Sequence, residues 1–396
     1  MLLLRNGEVF TFSVNGEEKL DSGDILVEKG IIKEVGQNLA CPEGARVIDC
    51  TGKRVIPGMV DAHTHLGIFE EGLMFEGEDV NELTGPITPE LRGLDAINPE
   101  DDGLREARVN GITSVLTGPG SGNVIGGQSL AIKTWGKIID QMVLRDPAGM
   151  KAAFGENPKR AYSSQNKSPS TRMATAALLR KTLFETREYL QKLEKDADNE
   201  DNREKGETQK PPERDFQKEI MVKVLNKEIP LRAHAHRADD IMTAIRIARE
   251  YNLDISIEHG TESHKIAQEL KDYGIPVVVG PTMTSRSKVE LRERKFATPL
   301  TLYQEGVKFA IMTDHPVIPI YALPVCAAMS VKAGLPWEEA LKAITIRAAE
   351  IIGIDHRVGS LEHGKDADLV VCRGDPLSVE SSIDYVFIEG QEVPLT

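Results

Sequence analysis

Six of the nine histidines in this chain stand at or beside the ends of short apolar runs, and that placement limits the folds open to it. Residues 55–60 lead into Asp61-Ala62-His63-Thr64-His65. Residues 229–233 lead into His234-Ala235-His236, residues 255–258 into His259, and residues 309–313 into Asp314-His315. Side chains at i and i+2 of a strand share a face, so each His-x-His pair presents two imidazoles together. Runs of this kind recur at 112–118, 129–134, 150–155 and 276–280, and helical spacing is clearest at 239–251, 263–273, 322–333 and 337–352. Strands alternating with helices give an α/β fold with a parallel sheet, and eight strands favour a closed (β/α)8 TIM-like barrel over an open sheet. Active sites of such barrels lie at the C-terminal ends of the strands, where these histidines fall.

Both ends of the chain have a different texture. Short strands broken by Gly and polar turns are expected at 2–6, 24–28, 31–35 and 46–49, and again at 368–372 and 385–390. We expect a small β-sandwich domain from 1–53 plus 358–396, flanking a barrel over 54–357. That span exceeds the roughly 250 residues of a plain barrel, so it holds an insertion. Around 160–220, Ala176, Leu179, Leu183, Leu190 and Leu193 keep helical spacing, and 192–219 is nearly all charged or polar. A long amphipathic helix followed by a solvated segment is expected there.

Composition removes several functions. Net charge is −14, which disfavours nucleic acid or an anionic membrane surface as partner. No apolar run reaches the roughly 18 residues of a membrane span, and the N-terminus turns polar too early for a secretory signal. The four cysteines are dispersed without a C-x-x-C pair, as expected of reduced thiols in a cytoplasmic protein. The Gly-rich stretch 118–128 lacks the Lys-Ser/Thr of a phosphate loop, so backbone contact with a small-molecule substrate is its better role. Loop 66–98, which carries Phe69, Phe75 and several acids, reads equally as a lid or a surface excursion. Imidazoles with a carboxylate suit a divalent metal, zinc foremost, as one or two ions.

Residues 55–65 (VIPGMVDAHTH) resemble the first-strand motif of the metal-dependent amidohydrolase superfamily, and 359–371 (GSLEHGKDADLVV) resembles the return into its composite β domain. The order His-x-His, His, His, Asp matches over essentially the whole chain, with the texture of the imidazolonepropionase-related branch. The resemblance implies hydrolysis of an amide or cyclic-amide carbon–nitrogen bond, and an assembly of two or more copies. It implies His63, His65, His234, His259 and Asp314 as metal ligands, with Asp314 also the catalytic acid/base. His236, Arg237 and His315 are candidates for substrate contact, and His236 is an alternative ligand. For the fourth strand the resemblance offers Glu156 or a carboxylated Lys151. A strand starting after Pro147 would place Lys151 near the bottom, so Glu156 is preferred. Ring deaminases of the superfamily carry Glu three residues after the fifth-strand His. Arg237 stands there, which disfavours deamination and strict imidazolonepropionase activity. The reading from another class is a catalytically silent, amidohydrolase-like binding or scaffold protein.

Overall fold

The computed structural model describes residues 1–13, 16–200 and 213–395. Among these residues, sixteen strands fall into two eight-stranded sheets. The first sheet uses both ends of the chain: β1 (Leu2–Phe10), β2 (Lys19–Glu28), β3 (Ile31–Gly36), β4 (Arg46–Asp49) and β5 (Arg54–Pro57), then β14 (Leu369–Arg373), β15 (Ser382–Ile388) and β16 (Gln391–Glu392). It is one hydrogen-bonded sheet with its own core, in which Leu4, Ile25, Ile32, Val55, Leu369 and Phe387 are buried.

The second sheet is the barrel: β6 (Met59–Thr64), β7 (Ile112–Thr117), β8 (Ile125–Lys133), β9 (Val143–Ala153), β10 (Leu231–Ala235), β11 (Ile255–His259), β12 (Val277–Val279) and β13 (Phe309–Ile311), paired in that order. Its ends meet at the mouth, where Asp314 N–H donates to His63 O (3.2 Å) and His65 N–H donates to His315 O (2.9 Å). The apolar runs read as strands are buried throughout β6, β7, β8, β10, β11, β12 and β13.

Three differences from the sequence reading have physical causes. The run 55–66 is two strands. β5 belongs to the first sheet and β6 to the barrel, with the chain passing between them at Gly58, where a Cβ would lie 2.1 Å from Thr113 Oγ1. β8 is antiparallel to both neighbours. The chain between β7 and β8, and between β8 and β9, is too short for the crossover a parallel pair needs. β9 begins at Val143, well before Pro147. Its pairing with β8 jumps from Arg145 to Gly149, so Pro147 sits in an irregularity where no ladder hydrogen bond is required. Lys151 is therefore near the top of β9.

The insertion opens with a helix over Arg172–Glu200, whose buried stripe includes Ala176, Leu179, Leu183 and Tyr189. The solvated segment expected over 192–219 falls partly on 201–212, outside the described residues. On either side of it the chain is helical, to Glu200 and again from Phe216, where Asp215 caps the helix by accepting from Lys218 N–H (3.1 Å). Among the described residues no helix is long and apolar enough to cross a membrane.

Candidate active site

The barrel mouth collects imidazoles from three strands. His63, His65 and Asp314 form one group, and His234, His236 and His259 a second, each with ligand atoms within 4.8 Å of one another. The groups are contiguous, with the ring centroids of His63 and His259 5.1 Å apart.

Buried acceptors aim these rings. His63 Nδ1 lies 3.0 Å from Glu258 Oε2, His65 Nδ1 2.7 Å from Gly118 O, and His259 Nδ1 3.0 Å from Gly280 O. Carbonyl and ionised carboxylate oxygens only accept, so in all three rings Nδ1 carries a proton and Nε2 is the nitrogen available to a ligand. His63 Nε2 and His65 Nε2 lie 3.4 and 3.5 Å from Asp314 Oδ1. Among the described residues, His234 Nδ1 and His236 Nε2 are buried without a hydrogen-bond partner. Convergent imidazole nitrogens beside a buried carboxylate, two of them unpartnered, fit a borderline divalent cation.

Charges beneath the mouth hold the rings. Burial alone would raise the Glu258 carboxyl, but the His63 hydrogen bond and the charges of His63 and Arg232 outweigh it and hold the carboxyl at about 2. Ser256 Oγ also donates to Glu258 (2.5 Å), and Arg232 Nη1 lies 3.5 Å away. Strict alternation would put Glu258 and His259 on opposite faces of β11. His259 turns to φ 75°, which re-aims it, and Asp314 has φ 57°. Two such residues at one mouth mark backbone held in a costly conformation by its surroundings.

Asp61 ties the first strand to the last, accepting from His63 N–H (3.1 Å), Thr313 N–H (3.0 Å) and Thr313 Oγ1 (2.6 Å). Burial pushes its carboxyl up to about 6.

The remaining candidates separate by position. Lys151 is buried, with Nζ 3.3 Å from His63 Nε2, and burial lowers its ammonium to about 8. Glu156 lies outside both groups. It opens the helix Glu156–Ser163, and its N–H donates to Glu290 Oε2 (3.0 Å). The placement expected for these two is thus corrected, because β9 starts four residues before Pro147. His236 lines the cavity, its Nδ1 2.8 Å from Thr261 Oγ1. Arg237 does not. Its guanidinium is paired with Asp239 by two 2.9 Å hydrogen bonds, outside the cavity. His315 is fully buried, accepts from Ile320 N–H (3.1 Å) and is absent from the cavity wall, so it braces the loop after β13.

The cavity over the imidazoles measures about 420 Å³, within the range of small-molecule sites. Loop 66–98 contributes Phe69, Val80 and Asn81 to its wall, and the Gly-rich stretch contributes Gly120 and Ser121. Gly122 N–H donates to Asn81 Oδ1 (2.7 Å), fastening the two loops together. Sequence reasoning missed Glu258, Arg232, Asn157 and Lys288. The first two had a legible signal, since each is a charged residue inside an otherwise apolar strand. Asn157 and Lys288 lie in loop or helix-entry sequence without such a signal.

Fold and site define a barrel with an imidazole–carboxylate centre of the kind that holds catalytic metal. The amidohydrolase family model matches residues 153–393. A crystal structure of an amidohydrolase from Thermotoga maritima MSB8 superposes with a TM-score of 0.92, at 43% identity over 99% of each chain. The amidohydrolase tasK of Hapsidospora irregularis is 28% identical over 93% of this chain, which spans 39% of that protein's length. An imidazolonepropionase of Mesorhizobium japonicum is 24% identical over 93% of this chain and 90% of its own. The chain belongs to the amidohydrolase family.

Proposed function

We propose that the protein is a metal-dependent hydrolase of an amide or cyclic-amide bond in a small molecule. The observation that carries this is Asp314, whose Oδ1 lies 3.4 and 3.5 Å from the Nε2 atoms of His63 and His65. His63, His65 and Asp314 would hold one divalent ion, zinc foremost, and His234 with His259 a second, with His236 beside them on the cavity wall. Such an ion polarises a carbonyl and makes water nucleophilic at neutral pH.

Asp314 then has two tasks: it takes the proton from the attacking water and returns it to the departing nitrogen, which leaves poorly as an anion. Its carboxyl sits well below the ordinary range: burial opposes ionisation, but the neighbouring imidazoles His259, His63 and His65 outweigh it. Asp314 is therefore ionised and ready to accept. Glu258 and the carbonyls of Gly118 and Gly280 keep the imidazoles from turning.

For the fourth strand we favour Lys151 over Glu156, because Lys151 Nζ reaches the His63 ring. An ammonium cannot bind a cation. The neutral amine adds to carbon dioxide, forming an N–C bond and releasing a proton, and the resulting carbamate is an anionic oxygen ligand. The ammonium, lowered to about 8, yields that amine more readily than an ordinary lysine.

The test is turnover. Protein stripped of metal and reloaded with zinc should hydrolyse members of a panel of linear and cyclic amides, and stripped protein should not. Tightly bound metal at this site with no turnover of any amide would favour the scaffold reading.

A further inference from the structure

Among the described residues lining the cavity, Lys288 is the one lysine or arginine, and Asp314 the one carboxylate. Lys288 comes from the loop after β12 and is held from two sides. Its Nζ lies 2.8 Å from Glu290 Oε1 and donates to Asn157 Oδ1 (3.0 Å). Glu290 is buried, and its other oxygen accepts from Glu156 N–H (3.0 Å). It also crowds Gly155, where φ is 79° and a Cβ would stand 2.7 Å from Glu290 Oε2. This buried carboxylate pins the ammonium to the end of β9.

An ammonium has three N–H donors; among the described residues the one hydrogen bond from Lys288 Nζ goes to Asn157 Oδ1, and the Glu290 contact is an ion pair. The ammonium is close to the reacting centre by two routes. Asn157 Nδ2 lies 3.4 Å from His234 Nε2, so one amide side chain links Lys288 to that imidazole. Glu290 Oε1 lies 3.6 Å from His236 Nε2, so a single carboxylate oxygen separates Lys288 from the other. Arg237, the other cation considered for an anionic substrate group, is turned away and paired with Asp239.

We propose that Lys288 is the anchor for a carboxylate on the substrate, so that the preferred substrates are amides bearing a carboxylate one or two carbons from the scissile bond, as in N-acyl amino acids. This rests on the hydrolase reading for the reaction, while the anchor itself is a binding property. Glu290 positions Lys288, and Asn157 spaces the anchor from the imidazoles. The interaction is a charge-assisted hydrogen bond between a fixed ammonium and a carboxylate inside a cavity.

The experiment is calorimetric binding of N-acetyl amino acids and of the matching neutral carboxamides, to metal-free and to zinc-loaded protein. Turnover of the same pairs is measured in parallel. Wild type should favour the carboxylate by about 10- to 100-fold, the worth of a hydrogen bond to a charged group. Lys288→Met should collapse that ratio toward unity and Lys288→Arg should restore part of it. Wild type binding both forms equally overturns the proposal without any variant, and so does a ratio that survives in a folded Lys288→Met protein. A ratio that depends on Lys288 in a protein hydrolysing no amide keeps the anchor and removes the hydrolase reading.

Discussion

Replacing Glu258 by Gln tests whether the site is held from beneath. The carboxylate is fully buried and receives the His63 ring at 3.0 Å and Ser256 Oγ at 2.5 Å, with Arg232 Nη1 at 3.5 Å. Its pKa, held at about 2 against a usual 4.5, corresponds to roughly 3 kcal/mol of preference for the charged form in the folded state. The amide cannot balance Arg232, which is also fully buried, so the loss should be of the order seen when one partner of a buried pair is removed, about 3–5 kcal/mol. Arg232 keeps hydrogen bonds to Ala148 O and Ile351 O, which places the expectation at the lower end. Because the folded pKa is depressed, this stability is present above pH 4.5 and is lost as pH falls toward 2. Urea unfolding of metal-free wild type and Glu258→Gln should therefore show a gap of about 3 kcal/mol at pH 7 that narrows as pH falls below the usual carboxyl value. Zinc affinity at pH 7 should fall by about 10- to 100-fold, since His63 loses the acceptor that fixes its ring. A gap under about 1 kcal/mol at pH 7, with unchanged zinc affinity, refutes the reasoning.

Other substitutions probe the centre itself. His63→Ala combined with His65→Ala should lose bound metal and activity while circular dichroism still reports a folded barrel; undiminished metal at this site would count against both as ligands. Asp314→Asn should keep much of the metal yet lower kcat by about 10²–10⁴-fold, and a variant keeping more than a tenth of wild-type kcat removes Asp314 from proton transfer. Lys151→Ala should abolish metal uptake that in wild type depends on bicarbonate, whereas Glu156→Gln should leave it near wild type. Bicarbonate-independent uptake, lost in Glu156→Gln, would reverse the assignment between these two residues.

Much of the site could be read from one rule, that strand ends of a barrel carry the chemistry. Asp61-Ala62-His63-Thr64-His65, His234-Ala235-His236, His259 and Asp314 each end an apolar run, and the fold brings all of them to one mouth. What escaped was strand direction and strand length. The apolar pattern of β8 is the same in either direction, and only the short connections on each side reveal that it runs antiparallel. Pro147 reads as a strand boundary because proline breaks a ladder, yet it occupies an irregular stretch of pairing inside β9, which carries Lys151 up to His63. Arg237 and His315 stand beside strand ends that carry His234, His236 and Asp314, and local pairing with Asp239 and Ile320 takes both out of the cavity. Lys288 could not be found from pattern at all. Its position depends on Glu290, two residues along, and on Asn157, 131 residues away in the sequence.

The most direct measurement is anomalous diffraction at the zinc edge, from crystals grown with zinc and bicarbonate. The account predicts a peak enclosed by His63, His65 and Asp314, with carbamate density on Lys151 beside it and any second peak against His234 and His259. An empty mouth, or zinc bound away from Asp314, would contradict it.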